Sequence, residues 1–344
     1  MENLIENVLD AIPSMRILVV GDVMLDQFTT GEILRMSPEA PAPVFTVLSE
    51  TEMLGGAANA ARAAAALDAS AAVVGVVGRD GWADRVRSLL AEVGVADGLV
   101  AADDRPTTRK TRFVSAHDNA HLLRADWEST RPIQEETAEG VLFAVNRLLA
   151  DSDVVLISDY GKGVLSEPVL QGIFEQASAA DIPVIVDPKG DDYSKYRGAT
   201  YITPNLAELE KAVGRTVRQD PEDIAAAAEE ILEVTDARAA IVKRGADGLQ
   251  FVDRATTFHM PSVAAAVVDV SGAGDTLTTT FALCMATGAS LPVSLRIADA
   301  AAGTVVGKKG TASVTFAEML GAPSLRASAE RTKDRTTALQ GVRR

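Results

Sequence analysis

The stretch of this 344-residue chain best suited to chemistry is residues 268–280, VDVSGAGDTLTTT, followed by the apolar run FALCMATGA. Ser271, Gly272, Ala273 and Gly274 are small enough for backbone N–H groups to approach an anion with no side chain in the way. A helix is predicted to begin directly after them. Its free N–H groups and positive dipole end would point at the same place. Asp275 stands at that helix start. A carboxylate there repels a bound phosphate, which makes sense if it must take a proton from a hydroxyl attacking that phosphate. It also makes sense as an ordinary helix N-cap after a glycine turn. The residues by themselves leave both readings open.

The elements that must position this segment are legible in the hydrophobic pattern. Residues 16–22, 72–78, 153–159, 183–188 and 239–243 are short, nearly continuous apolar runs. They read as strands buried on both faces. Between them, residues 57–67, 82–93, 133–150, 167–179 and 221–234 have helical length and composition. Such alternation predicts an α/β fold with a mostly parallel sheet covered by helices. Two segments break the rhythm. Residues 28–48 carry three prolines, and residues 107–126 read as two strands joined by a turn at Asp118–Asn119. Both are expected to form a small β lid. The stretch 1–325 is expected to be one domain, and 326–344 a flexible tail. From Ser324 onward there are six basic and two acidic residues and no aromatic one.

Composition narrows the function. A formal net charge of −15 disfavours sequence-independent nucleic-acid binding, although a local basic pocket can still hold an anionic substrate. Cys284 is the single cysteine, so no intramolecular disulfide forms, which fits a reducing compartment. His117, His121 and His259 are scattered, against a structural zinc site. The N-terminus is acidic and too polar for a secretory signal, and no apolar run is long enough for a membrane span, so a cytoplasmic location is expected. The first strand ends in Gly21-Asp22-Val23-Met24 with no G-x-G-x-x-G, and no P-loop pattern occurs.

Residues 269–275, D-V-S-G-A-G-D, resemble the D-T-x-G-A-G-D signature of the ribokinase-like (PfkB) family of sugar kinases. Gly55-Gly56-Ala57-Ala58-Asn59 resembles the family's other signature, a glycine pair followed by an asparagine. The resemblance covers roughly residues 15–320. Three further stretches are similar to the branch that phosphorylates D-glycero-β-D-manno-heptose 7-phosphate. Residues 35–44 resemble its R-I-S-P-E-A-P-V-P-V segment, residues 158–164 its S-D-Y-x-K-G stretch, and residues 306–312 its V-G-x-x-G-T-A ending. Phe28-Thr29-Thr30 departs from that branch's more aromatic lid entrance.

The resemblance implies an ATP-dependent kinase acting at C1 of the heptose, on the way to activated heptose and lipopolysaccharide. A kinase for another sugar or sugar phosphate is the sibling alternative, and a silent sugar- or nucleotide-binding relative is the alternative of another class. It makes Asp275 the base, with Gly272, Ala273 and Gly274 stabilising charge on the transferring phosphoryl group. Asn205, Leu206, Ala207 and Glu208 match the family's N-x-x-E motif, implying that Asn205 and Glu208 hold Mg²⁺-bound nucleotide through water; the same pair also reads as a helix capping box. Lys243, Gly245 and Gly248 would lie beside the nucleotide. Asp269 and Ser271 align with positions that hold a monovalent cation such as K⁺. On the sugar side the resemblance implies Asp26, Gly55, Gly56, Asn59 and Asp159. For the phosphate already on the acceptor, Arg35, Arg109, Lys110 and Arg112 are candidates, with Lys162 and Lys189 as further neighbours. A homodimer through the lid is expected. No H-x-G-H motif of the nucleotidyltransferase fused to many such kinases occurs, so that second activity is expected to be absent.

Overall fold

The computed structural model describes residues 2–262, 272–308 and 313–321. In chain order its strands are β1 (Arg16–Gly21), β2 (Val23–Met36), β3 (Pro43–Gly56), β4 (Ser70–Val74), β5 (Val76–Gly78), β6 (Ala96–Asp97), β7 (Val100–Ala102), β8 (Arg109–Ser115), β9 (His121–Trp127), β10 (Val154–Ser158), β11 (Val184–Asp187), β12 (Tyr201–Ile202), β13 (Ala239–Lys243), β14 (Leu249–Asp253) and β15 (Thr257–Met260). The helices are α1 (Glu2–Ala11), α2 (Ala57–Ala66), α3 (Gly81–Glu92), α4 (Glu135–Leu149), α5 (Glu167–Ala179), α6 (Leu206–Val213), α7 (Pro221–Thr235), α8 (Ala273–Ala286), α9 (Leu291–Val305) and α10 (Phe316–Gly321).

The unbroken apolar runs form the large sheet, in the order β15-β14-β13-β12-β11-β10-β1-β4-β6. From β6 to β13 the pairing is parallel, and β14 and β15 are added antiparallel at one edge. Side chains of β1 alternate between two cores. Ile17 and Val19 pack with α1, α2, α8 and α9, whereas Leu18 and Val20 pack with α4, α5 and α7. Burial on both faces is why no polar alternation shows in these strands. The antiparallel hairpin β14–β15 was not foreseen from the pattern.

A second sheet, in the order β3-β2-β8-β9, is the lid. It is larger than the sequence suggests. Its first strand starts at Val23, directly after β1, and the hairpin of β2 and β3 runs to Gly56. The three prolines are confined to its tip, where Pro43 opens β3. The β8–β9 turn is as expected, with Asn119 left-handed at φ 58°. Residues 72–78 are not one strand. The chain breaks at Gly75, where a Cβ would lie 2.7 Å from the carbonyl oxygen of Gly21, and β5 leaves to pair with β7. The tail 326–344, Asp269 and Ser271 lie outside the described residues. Among the described residues no helix is long and apolar enough to cross a membrane.

Candidate active site

The helix expected after the glycine nest is α8. Gly272 is its N-cap, left-handed at φ 78°, and its carbonyl accepts the first helical bond from Thr276 N–H at 3.0 Å. Asp275 is therefore the third residue of the helix, and the capping position is taken by a glycine. The buried Asp275 carboxylate points elsewhere. Its Oδ1 accepts from the Tyr160 hydroxyl at 2.6 Å and its Oδ2 from the Asn59 amide at 2.6 Å. Arg62 in turn donates to Asn59 Oδ1 at 2.6 Å. Burial pushes the Asp275 carboxyl up to about 6, with nearby Asp187 adding to the rise and Tyr160, Asn59 and Lys243 opposing it.

Asp275 opens onto a cavity of 190 Å³ lined also by Tyr160, Asp187, Lys189, Asn205, Glu208, Lys243, Gly272 and Gly274. Strand ends of the parallel sheet supply most of it, as expected for a ligand crevice beyond the carboxyl ends of such strands. Asp187 ends β11 and Lys243 ends β13, and their side chains pair at 2.6 Å. Burial raises the Asp187 carboxyl, an effect Lys243 counters. Lys189 pairs with Glu208 at 2.9 Å. Asn205 and Glu208 form the capping box of α6 and line the cavity as well, so the structural reading of the pair holds without removing it from the cleft. Leu206 and Ala207 only begin α6. Gly245 and Gly248, at φ 60° and 87°, make the turn between β13 and β14 and do not line the cavity.

The lid comes near the same region through Asp26, which acts electrostatically on Arg62 and Tyr160. A Cβ on Gly55 would lie 2.5 Å from Asp26 Oδ2, so the glycine is what lets Asp26 approach. Gly56, at φ 55°, caps α2, which carries Asn59 and Arg62. Asp26 accepts from Arg112 at 2.5 Å. Lys110 pairs with Asp126 at 3.2 Å and with Glu128 at 2.9 Å, and Lys162 reaches the same Glu128 at 2.7 Å. Strand alternation puts Lys110 and Arg112 on the Asp26 side and Arg109 on the other. Arg109 is stacked between the Trp82 and Trp127 rings, 4.2 and 3.7 Å from their centroids, and donates to Gln27 at 3.0 Å. It is not brought to the cleft. Arg35 is exposed near the hairpin tip, opposite Val44.

Asp159 lines the cavity but is engaged by the protein. It accepts from Gly161 N–H at 2.7 Å, Tyr196 O–H at 2.6 Å and Lys195 at 2.7 Å. Four residues that the sequence reading did not assign are central here: Asp22, Arg62, Tyr160 and Asp187. Asp22 and Asp187 carried a signal, since each is a lone carboxylate at the end of an apolar run. Arg62 carried none.

A family model described as pfkB family carbohydrate kinase matches residues 15–317. The chain is 44% identical over 311 residues to the bifunctional protein HldE of Bradyrhizobium sp. (strain ORS 278), covering 90% of this chain and 63% of that protein. It is 46% identical over 298 residues to the bifunctional protein HldE of Paramagnetospirillum magneticum, covering 86% and 60%. The chain thus spans about three-fifths of the length of these curated relatives. Among solved structures it resembles phosphofructokinase-2 from Escherichia coli in complex with potassium, with a TM-score of 0.75, 23% identity, and coverage of 90% of this chain and 98% of that one. Arabidopsis thaliana ribokinase complexed with ribose and ATP gives a TM-score of 0.69 at 22% identity, with the same coverage. The large, mostly parallel sheet flanked by helices and the separate small sheet agree with these matches, and the chain belongs to the pfkB family of carbohydrate kinases, phosphotransferases with an alcohol group as acceptor.

Proposed function

We propose that this chain transfers the terminal phosphoryl group of ATP to the C1 hydroxyl of D-glycero-β-D-manno-heptose 7-phosphate, giving the 1,7-bisphosphate and ADP. The observation that carries this reading is the position of Asp275. It lies in the N-terminal turn of α8, in a cavity that the Lys243 ammonium also lines, and Asp26 of the lid acts electrostatically on its neighbours Tyr160 and Arg62. The branch-level likeness of residues 35–44, 158–164 and 306–312 supports the heptose phosphate as acceptor.

Asp275 takes the proton of the attacking hydroxyl, for which a carboxyl held near 6 is suited at neutral pH. The N–H groups of Gly272, Ala273 and Gly274 and the Lys243 ammonium face charge that develops on the transferred group. A magnesium nucleotide suits the cavity by its chemistry. Asp187, Glu208 and Asn205 are hard oxygen donors, and Lys189 and Lys243 are phosphate partners. When bound, Mg²⁺ neutralises charge on the phosphate oxygens. Asp26 binds sugar hydroxyls, and Lys110, Arg112 and Lys162 take the 7-phosphate, which would replace Glu128 between the two lysines. We also place a homodimer contact at the lid, where Leu34, Met36, Leu48 and Leu123 are exposed.

The test is an ADP-release assay over heptose 7-phosphate, fructose 6-phosphate, ribose and fructose with MgATP. Heptose 7-phosphate is expected to give the highest kcat/KM. Greater activity with any other acceptor overturns the assignment, and no turnover with any of them favours a silent binding protein.

A further inference from the structure

Tyr160 sits in a loop that two buried carboxylates hold rigid. Asp22, which is 1% exposed, accepts from the backbone N–H groups of Tyr160, Lys162 and Val164 at 2.8, 3.0 and 3.3 Å. Asp159 accepts from Gly161 N–H between them. Gly161 and Gly163 are both left-handed, at φ 68° and 84°, and a Cβ on Gly163 would collide with the backbone of Arg131. Glycine is thus required for the loop to fold back on Asp22. The result is that a phenol anchored at its backbone ends on the reacting carboxylate.

We infer that Tyr160 is a positioning residue for phosphoryl transfer: its hydroxyl, 2.6 Å from Asp275 Oδ1, fixes the orientation of the carboxylate and favours its ionised form. This rests on the reading of Asp275 as the base. The phenol is a permanent donor, because burial and the neighbouring Asp275 push its own ionisation well above the ordinary tyrosine range. With Asn59 on Oδ2, each carboxylate oxygen has one fixed donor and keeps lone-pair capacity for the substrate proton. The charged groups around Asp275 are Arg62 from α2, Asp26 from the lid, Asp187 from the end of β11 and Lys243 from the end of β13. Removing only the Tyr160 hydroxyl leaves all four in place.

The experiment is the pH profile of kcat/KM for heptose 7-phosphate with saturating MgATP. It compares wild type, Tyr160→Phe, and protein carrying 3-fluorotyrosine at 160, a stronger donor of nearly the same size. Tyr160→Phe should move the acid limb up by about one pH unit, with KM little changed. The fluorinated protein should move it down, and it carries the test alone if Tyr160→Phe does not fold. Limbs that coincide with wild type, while Asp275→Asn is inactive, overturn the role of Tyr160 and leave the base reading intact. Wild-type turnover in Asp275→Asn overturns the base reading and this inference with it.

Discussion

Replacing Lys243 by methionine separates what the lysine does for the fold from what it does for the reaction. The Lys243 and Asp187 side chains are 12% and 17% exposed and pair at 2.6 Å. Removing the ammonium leaves a buried carboxylate without its partner, a loss of about 3–5 kcal/mol. For a chain of this size that is a fall in Tm of roughly 4–7 °C. The pH dependence has a definite sign. Burial already raises the Asp187 carboxyl in the folded state, and losing Lys243 raises it further, so the folded protein holds a proton that the unfolded chain releases. The destabilisation is therefore greatest at neutral and alkaline pH, and shrinks as pH falls through the raised folded value. Adding Asp187→Asn removes the stranded charge and should restore most of the lost Tm. It should not restore kcat/KM, because Lys243 Nζ lies 3.8 Å from where a Cβ of Gly274 would stand, beside the first turn of α8. Calorimetry at pH 7.5 and 5.0 with steady-state kinetics on both variants tests this. If the double variant regains turnover as well as stability, Lys243 serves only to neutralise Asp187, and its role in transfer is refuted.

Other outcomes follow from the same geometry. With a carboxyl near 6, about nine-tenths of Asp275 is ionised at pH 7 and about one-tenth at pH 5, so kcat/KM should fall about tenfold over that interval; a flat profile would remove Asp275 as the titrating group. Gly55→Ala sets a Cβ against Asp26 Oδ2 and should raise KM for the sugar while leaving KM for ATP unchanged. Lys162→Met should raise KM for heptose 7-phosphate roughly tenfold or more through loss of a charge-assisted phosphate contact, with no change for unphosphorylated sugars. Trp82 and Trp127, the two tryptophans of the chain, both stack on Arg109, so Arg109→Ala should change intrinsic fluorescence strongly without altering the binding of nucleotide.

The buried strands were legible because two covered faces demand unbroken apolar runs, and β1, β10, β11 and β13 fall inside the stretches read as strands. The start of α8 was legible because the helix needs a left-handed residue there, and Gly272 supplies it. What failed were features that depend on partners distant in sequence. The orientation of Arg109 is set by the pleat of β8 and by two indoles, Trp82 and Trp127, on separate elements. The break at Gly75 is set by the carbonyl of Gly21 and the side chain of Val23. Arg62 reaches the site only because α2 follows directly on Gly56, a geometry that a run of alanines does not announce.

Burial alone does not distinguish a base, because Asp26, Asp159, Asp187 and Asp275 are all largely withdrawn from water. Their partners do distinguish them. Asp26 is held by Arg112, Asp159 by Lys195, Asp187 by Lys243, and Glu208 at the cavity rim by Lys189. Each of these carboxylates has a cation within hydrogen-bond reach, committed to it as an ion pair. The direct donors to Asp275 are the neutral phenol of Tyr160 and the neutral amide of Asn59. They orient the carboxylate without cancelling its charge, so desolvation is left as the dominant influence and the group can accept a proton near neutrality. On the proposed reading, the acids thereby divide into binding groups and one base according to what each touches. Placing an ammonium within reach of Asp275, as Asn59→Lys would do, should lower its acid limb and suppress turnover together. A variant of that kind retaining wild-type kcat and the same limb would show that the sorting of carboxylates by their partners does not govern catalysis here.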